Sequence, residues 1–531
     1  MQKFKVFVTD NLSQKGIEIF RNAPEIETVV DHGITAEALK EALRDCDGLV
    51  IRSRTKVTAE LLESAPHLKV VGRAGSGLDN VDVQAASKRG IAVMNTPGGN
   101  TVTTAEHALA MLLALARNVP QATASLKKQQ WEKKKFQGRE LFNKTLGILG
   151  VGNIGSVVAD RAKGLKMNVI AYDPYLTPEM ARKRGLESVK FDELLARSDF
   201  ISIHVPLNKS TRHLINGGAF ARMKDGVMIV HCARGGIVDE AALLEALKSG
   251  KVRGAALDVF ETEPPGANPL LELDNVIATP HLGASTEEAQ ENVAVAVAEQ
   301  ITDYLVRGIV RNAVNVPSVS PESLPLLKPY LRLCEQLGCL YSQMSPEPVE
   351  EVRLEVAGML ADLDTRPLTV ALLKGLLSPT RESESVNYVN APLIAEEQGI
   401  HVTESKTKKD VNFTNKVSLW VRSGSTETCL VGAIFGQDGP PRLVRMNNYF
   451  LEAILEGHIL VMENLDKPGI IGAIGVLLGE NKINIAGFHL GRDHEGGKAV
   501  AFINVDDPVP NGVLQKALQL PNILSVKQIT F

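Results

Sequence analysis

Arg234, Glu263 and His281 are the side chains of this chain best suited to move a hydride and a proton in one step. Oxidation of a 2-hydroxy acid needs a base for the hydroxyl proton as the hydride leaves C2, and the reverse reaction needs the same group as an acid. Histidine changes protonation near neutral pH, which suits His281 to that role. A carboxylate such as Glu263 can bond the second ring nitrogen, fix the tautomer and favour the imidazolium. Arg234 lies in Cys232-Ala-Arg-Gly-Gly236, where glycines expose backbone and side chain. Its permanent, forked charge can pair with a carboxylate and polarise a carbonyl oxygen.

The acceptor for that hydride is implied by Thr145-Leu-Gly-Ile-Leu-Gly-Val-Gly-Asn-Ile-Gly155, an apolar strand running into Gly150-x-Gly152-x-x-Gly155 and then a helical segment. Gly150 allows the tight turn, Gly152 lets backbone approach a pyrophosphate, and Gly155 lets the helix pack on the strand. The amides and dipole of that helix would hold the anion. A second apolar strand, Met167–Tyr172, ends in Asp173, about 20 residues past the glycines, where a carboxylate bonds a ribose diol and repels a 2′-phosphate. The expected cofactor is therefore NAD rather than NADP, and no metal site is expected.

These residues need elements to carry them. Strands at Phe200–Val205, Val227–His231, Gly254–Asp258 and Val276–Thr279 would continue a doubly wound sheet, and their carboxyl ends bring Arg234, Asp258, Glu263 and His281 to one crevice. Before them, residues 1–97 alternate short strands (Lys5–Thr9, Gly48–Ile51, Val70–Gly72, Ile91–Met94) with amphipathic stretches, predicting a first parallel sheet. The apolar helix Thr104–Arg117 reads as packing, and His107 within it as having no chemical role. A helix from Glu287 to about Val306 is expected to cross back to the first domain, so that 98–287 is an insertion between 1–97 and 288–316. Val316–Pro329 reads as a linker. Region 317–455 is α+β, with strands near Val349–Val356 and Val417–Val421 and helical segments near Leu331 and Pro367, and it has no motif tied to chemistry. Residues 456–531 show the order βαββαβ, which is ferredoxin-like. The fold class is thus α/β: two Rossmann-like doubly wound domains followed by two α+β units.

Composition removes other classes. The net charge is −4 with the signs interspersed, so no basic stripe points to nucleic acid. No apolar run approaches the roughly 18 to 20 residues that span a bilayer, so no membrane partner is expected. The five scattered cysteines lack metal-ligand spacing and suit a reducing compartment. The first residues enter a strand with no room for a leader. A cytoplasmic location is expected, with a plastid form left open if a transit peptide has been removed.

The chain resembles the D-isomer-specific 2-hydroxyacid dehydrogenases through Val71-Gly-Arg-Ala-Gly-Ser-Gly-Leu-Asp-Asn80, Asn95-Thr-Pro-Gly-Gly-Asn100, the Gly150 loop, His231–Asp239, Ala256–Pro264 and Thr279–Ala284. The resemblance implies that Arg234 anchors the substrate, that Glu263 partners the histidine and that His281 is the acid/base. It also implies cofactor contacts from Ser76, Gly150, Gly152, Asn153, Ile154, Gly155, Asp173, Val205, Cys232, Ala233, Arg234, Asp258, His281, Leu282, Gly283 and Ala284. One departure is Asn153, where many relatives carry arginine, which leaves more of the pyrophosphate to backbone amides. Arg52 and Arg73 would hold a phosphate or carboxylate, and Lys133 in the basic run Trp131–Lys135 would reach a neighbouring subunit's site. A phosphate held by guanidinium forks favours 3-phosphoglycerate, the substrate of the family's long members, whose reaction is the first committed step of L-serine synthesis.

Residues 456–531 resemble an ACT domain, through Asn464–Gly469 and Asn481–Ala486, and 317–455 resembles the intervening domain of those long members. Paired ACT modules bind small amino acids between subunits, which assigns Asn464, Asp466 and Asn484 to a regulatory site for L-serine, and a homo-oligomer, a tetramer, is implied. The alternatives are a glyoxylate or hydroxypyruvate reductase and an NAD-sensing corepressor of the same fold. Both normally lack the additional 200 or so residues.

Overall fold

The computed structural model describes residues 3–531 apart from 318, 320–321, 346, 381–385, 409–413 and 437–438. Ser318, Ser320 and Pro321 of the expected linker therefore lie outside the described residues. Among the described residues four sheets follow one another along the chain.

The first is parallel, in the order β2-β1-β3-β4-β5, from β1 (Phe4–Val8), β2 (Ile26–Val30), β3 (Gly48–Ile51), β4 (Val70–Arg73) and β5 (Ala92–Met94). Its strands are apolar on both faces because both faces are covered. Val6, Val8, Val50 and Val70 pack on one side against Val293, Val297, Ile301 and Leu305 of the helix Glu287–Arg307, while Phe7, Leu49, Ile51 and Val71 pack on the other. Strand β2 escaped the sequence reading. It is an edge strand, half-buried, and Glu27 and Thr28 interrupt its apolar run.

The second sheet is also parallel, in the order β12-β11-β10-β9-β6-β7-β8. Its strands are β6 (Thr145–Leu149), β7 (Asn168–Tyr172), β8 (Glu187–Ser188), β9 (Phe200–Ile203), β10 (Val227–His231), β11 (Val252–Leu257) and β12 (Val276–Ala278). The strand order reverses at β6, and the crevice outside such a reversal is where doubly wound sheets bind ligands. The helix Thr101–Arg117 belongs to the core of this sheet through Ala105, Ala108, Leu112 and Leu115.

Beyond it, the region in which two strands were expected holds six among its described residues: β13 (Glu351–Gly358), β14 (His401–Thr407), β15 (Asn415–Ser423), β16 (Thr426–Ile434), β17 (Pro441–Met446) and β18 (Tyr449–Ile454). The helix Leu324–Met344 begins inside the expected linker. Pro325 falls in its first turn, where a missing N–H costs nothing, and Pro329 is the one proline in its interior.

The last sheet has the order β20-β21-β19-β22, from β19 (His458–Leu465), β20 (Ile485–Arg492), β21 (Lys498–Val505) and β22 (Ile523–Thr530). This is the ferredoxin-like arrangement. Alternation along β19 sends Leu460 and Met462 to the module's own helices, through Ile474, Leu478 and Val513. Ile459 and Val461 point the other way, into the same core as Leu333, Leu337 and Leu340. The two C-terminal units therefore share a hydrophobic core. Among the described residues no helix is long and apolar enough to cross a membrane.

Candidate active site

Gly150 has φ 93, a left-handed conformation, and its N–H donates to the Tyr172 carbonyl at the end of β7. A side chain at Gly155 would overlap the Gly150 carbonyl, whereas one at Gly152 would meet nothing within 4 Å. The helix Asn153–Gly164 starts at Gly152 with no side-chain cap, so its first amides are open to an anion. Asp173 accepts from the amides of Val151 and Tyr175, both at 2.9 Å, which fixes the carboxylate beside the loop. A loop pressed this closely on its own strand, open above Gly152 and edged by a carboxylate, fits the pyrophosphate and ribose of a dinucleotide. Arg184, which the sequence reading passed over, donates to the Val151 carbonyl at 2.9 Å and brings a guanidinium to the loop where Asn153 supplies none.

Ser76, Ile154, Val205, Cys232, Ala233, Arg234, Asp258, His281, Gly283 and Ala284 line one crevice between the first two sheets. His281 Nδ1 lies 2.7 Å from Glu263 Oε2, and Glu263 Oε1 accepts from the Phe260 amide at 3.1 Å. Burial pushes the Glu263 carboxyl up, but the His281 hydrogen bond and charge, the Phe260 amide and the nearby Arg234 outweigh it and hold it below its usual range. Behind the pair, Glu263, Phe260, Leu271 and Pro280 form an apolar recess that also reaches His281.

Arg234 crosses the crevice. Its Nε donates to Asp79 Oδ2 at 3.1 Å and its Nη1 to the Ala233 carbonyl at 2.8 Å. The guanidinium lies against Gly77, where any side chain would overlap it. Arg73 donates through Nε to Asn80 Oδ1 at 3.1 Å, and burial followed by the neighbouring Arg234 lowers its affinity for its proton. Arg52 is close enough to contribute to that repulsion and donates to the Asn11 carbonyl. Arg73 is thus within electrostatic reach of both Arg234 and Arg52, although of the three only Arg234 lines the crevice.

The remaining predicted residues are placed less directly. Leu282 presents its amide to Asp258 Oδ1 at 2.7 Å, and Lys133 is exposed on a segment outside its own chain's crevice. Asn464 and Asp466 lie at one end of β19, where Asp466 accepts from Arg492 and the Gly496 amide. Asn484 donates to Asp506 at the other end, beside His458 in register. A single chain does not bring the three together, since the six residue steps from His458 to Asn464 span about 20 Å.

Gly77, Asp79, Asn100, Thr104, His204 and Leu207 also line the crevice. Gly77 and Asp79 stand inside the motif Val71–Asn80, but nothing local shows that they face Arg234. His107, expected to be inert, has Nε2 at 3.2 Å from both Thr279 Oγ1 and Asp258 Oδ1. Its place on an apolar helix concealed this contact.

Residues 109–283 match the NAD binding domain of the D-isomer specific 2-hydroxyacid dehydrogenases, 326–447 the D-3-phosphoglycerate dehydrogenase intervening domain and 458–522 the ACT domain. The D-3-phosphoglycerate dehydrogenase of Methanocaldococcus jannaschii is 46% identical over 526 residues, covering 99% of each chain. That of Bacillus subtilis is 42% identical over 526 residues, again 99% of each. Among solved structures, a glyoxylate reductase from Paecilomyes thermophila superposes with a TM-score of 0.55 at 31% identity, over 61% of this chain and 100% of its own. The Aquifex aeolicus D-lactate dehydrogenase complexed with NAD and lactic acid gives 0.52 at 30% identity, over 59% and 100%. The cofactor is NAD. The chain belongs to the D-3-phosphoglycerate dehydrogenase family.

Proposed function

We propose that the protein oxidises 3-phospho-D-glycerate at C2 to 3-phosphooxypyruvate with NAD, the step that opens L-serine synthesis. The observation that carries this is the His281–Glu263 pair facing Arg234 in one crevice beside the dinucleotide loop. Bound NAD supplies the acceptor for the C2 hydride. Arg234 receives the substrate carboxylate, its plane set by Asp79 and Ala233. His281 takes the hydroxyl proton through Nε2, because Nδ1 is committed to Glu263, and the Glu263 carboxylate stabilises the imidazolium that results. Arg73 and Arg52 take the phosphate. The relatives that match full length support this substrate over the shorter reductases, which cover about three fifths of the chain.

Steady-state turnover with 3-phosphoglycerate and NAD, beside glycerate, lactate, glyoxylate and NADP, tests the reading. Preference for glycerate or glyoxylate over 3-phosphoglycerate defeats the substrate assignment, and near-normal turnover by His281→Ala defeats the acid/base assignment.

Two finer points belong to the same reading. The exposed apolar residues Val102, Leu113, Val119 and Leu126 on the two helices spanning Thr101–Lys127 support pairing of subunits, and a homotetramer with the ACT modules paired would bring Asn464 and Asp466 of one copy near Asn484 of another. L-serine is the ligand we assign there. Loss of activity on adding L-serine, abolished in Asp466→Ala, is the expected result, and no effect in the wild type refutes it. The five cysteines are all free, which suits work in the cytoplasm or a plastid stroma.

A further inference from the structure

The turn that presents His281 is held from behind. His281 has φ 54, so the turn needs support to keep an unfavourable backbone conformation. That support is Asp258, buried at the end of β11, whose Oδ1 accepts from the Leu282 amide at 2.7 Å and whose Oδ2 accepts from the Gly283 amide at 2.8 Å. The Thr279 hydroxyl donates to the same Oδ1 at 2.6 Å. Because that hydroxyl has one proton and gives it to Asp258, His107 Nε2 must carry a hydrogen and donate as well. His107 thus completes a set of donors around a carboxylate whose position decides where His281 stands.

Burial pushes the Asp258 carboxyl up, and the bonds from His107, Thr279 and Leu282 more than offset it. His107, Cys232 and Asp258 also place their ligand atoms within 4.8 Å of one another. A cation there would have to displace four donors already on Asp258, so the arrangement serves the turn rather than a metal.

We propose that His107 is a positioning residue for the dehydrogenase reaction, acting through Asp258 to hold the His281–Ala284 turn. The substrate-anchoring residues Arg234 and Asp79 stand on other loops and do not touch it. This rests on the reading of His281 as the acid/base, which turnover by His281→Ala tests separately.

The test compares wild type, His107→Ala and His107→Gln, whose amide can donate from a similar reach. Expected for His107→Ala is a fall in kcat of about 10- to 100-fold, the scale of a misplaced catalytic group, with KM for 3-phosphoglycerate within about threefold of wild type. The primary isotope effect on kcat with C2-deuterated substrate should rise, because the chemical step becomes slower relative to product release. His107→Gln should recover most of kcat and the wild-type isotope effect. Thermal melting and NADH fluorescence titration are measured on all three proteins. Unchanged kcat and isotope effect in His107→Ala overturn the proposal. So does equal damage in His107→Gln, or a loss of activity that only follows a loss of folded protein. If wild type binds NADH but turns over none of the hydroxy acids, the dehydrogenase reading fails instead.

Discussion

Gly77→Ala should separate stability from activity. A methyl at position 77 would overlap the Arg234 guanidinium and come within 2.9 Å of Asp79 Oδ2. Position 77 is not in the left-handed region, so alanine fits the backbone, and the entropy it removes from the unfolded chain favours folding by about 0.4–1 kcal/mol. The nearest atoms are the far end of a flexible side chain, so Arg234 must move and the protein need not unfold. The ion pair with Asp79 is partly exposed, and by itself would be worth no more than about 1 kcal/mol. The larger loss is the charge-assisted contact to the substrate carboxylate, about 1.5–3 kcal/mol, or roughly 10- to 150-fold in kcat/KM. The assay is initial-rate kinetics with 3-phosphoglycerate, with NADH titration and thermal melting as controls. Expected are a reduced kcat/KM, an NADH affinity close to wild type and an undiminished melting temperature. A kcat/KM within twofold of wild type would refute the placement of Arg234 as anchor.

Three further outcomes follow from the same geometry. Gly152→Ala should fold like wild type and bind NADH about tenfold more weakly, because its methyl enters the open approach above the loop, whereas Gly155→Ala should lose stability as well, because its methyl meets a backbone carbonyl; equal melting temperatures for the two would count against this. Glu263→Gln keeps the shape of the pair but removes its charge, and single-turnover rates should fall about 10- to 100-fold, a change below twofold being the contrary result. His231 is buried and its pKa falls from 6.5 to about 4, so the unfolded chain takes up its proton first as pH drops below 6.5. That stability is complete above pH 6.5 and is lost toward pH 4, by about 1.4 kcal/mol per pH unit. Urea midpoints between pH 7 and 5 should therefore depend less on pH in His231→Gln, and an unaltered dependence would show that another group governs it.

Much of the site was legible because its chemistry is local in sequence. The glycine loop, Asp173 and the strand-end residues Arg234, Asp258, Glu263 and His281 each follow a strand whose apolar run is self-evident, and a parallel sheet carries all such ends to one edge. Strand β2 and most of β13–β18 were harder. Strands β2 and β14 are half-exposed, a weaker signal than a continuous apolar run, and β14 pairs with β13 far back along the chain. Strands β16, β17 and β18, by contrast, pair with their sequence neighbours and escaped the sequence reading despite their buried residues.

From the sequence alone came the glycine loop, the pairing of His281 with Glu263 and the order of the four folded units, since these depend on backbone preferences and residue chemistry within short spans. Only the tertiary structure decided which charges meet. Asp79 reaches Arg234 across 155 residues and His107 reaches Thr279 across 172, and no periodicity encodes such contacts. The same holds for the core shared by the helix Leu324–Met344 and the final sheet, and for the separation of Asn484 from Asn464 and Asp466. Side-chain type limits what a residue can do, but its partners are set by packing, and packing is a property of the whole chain.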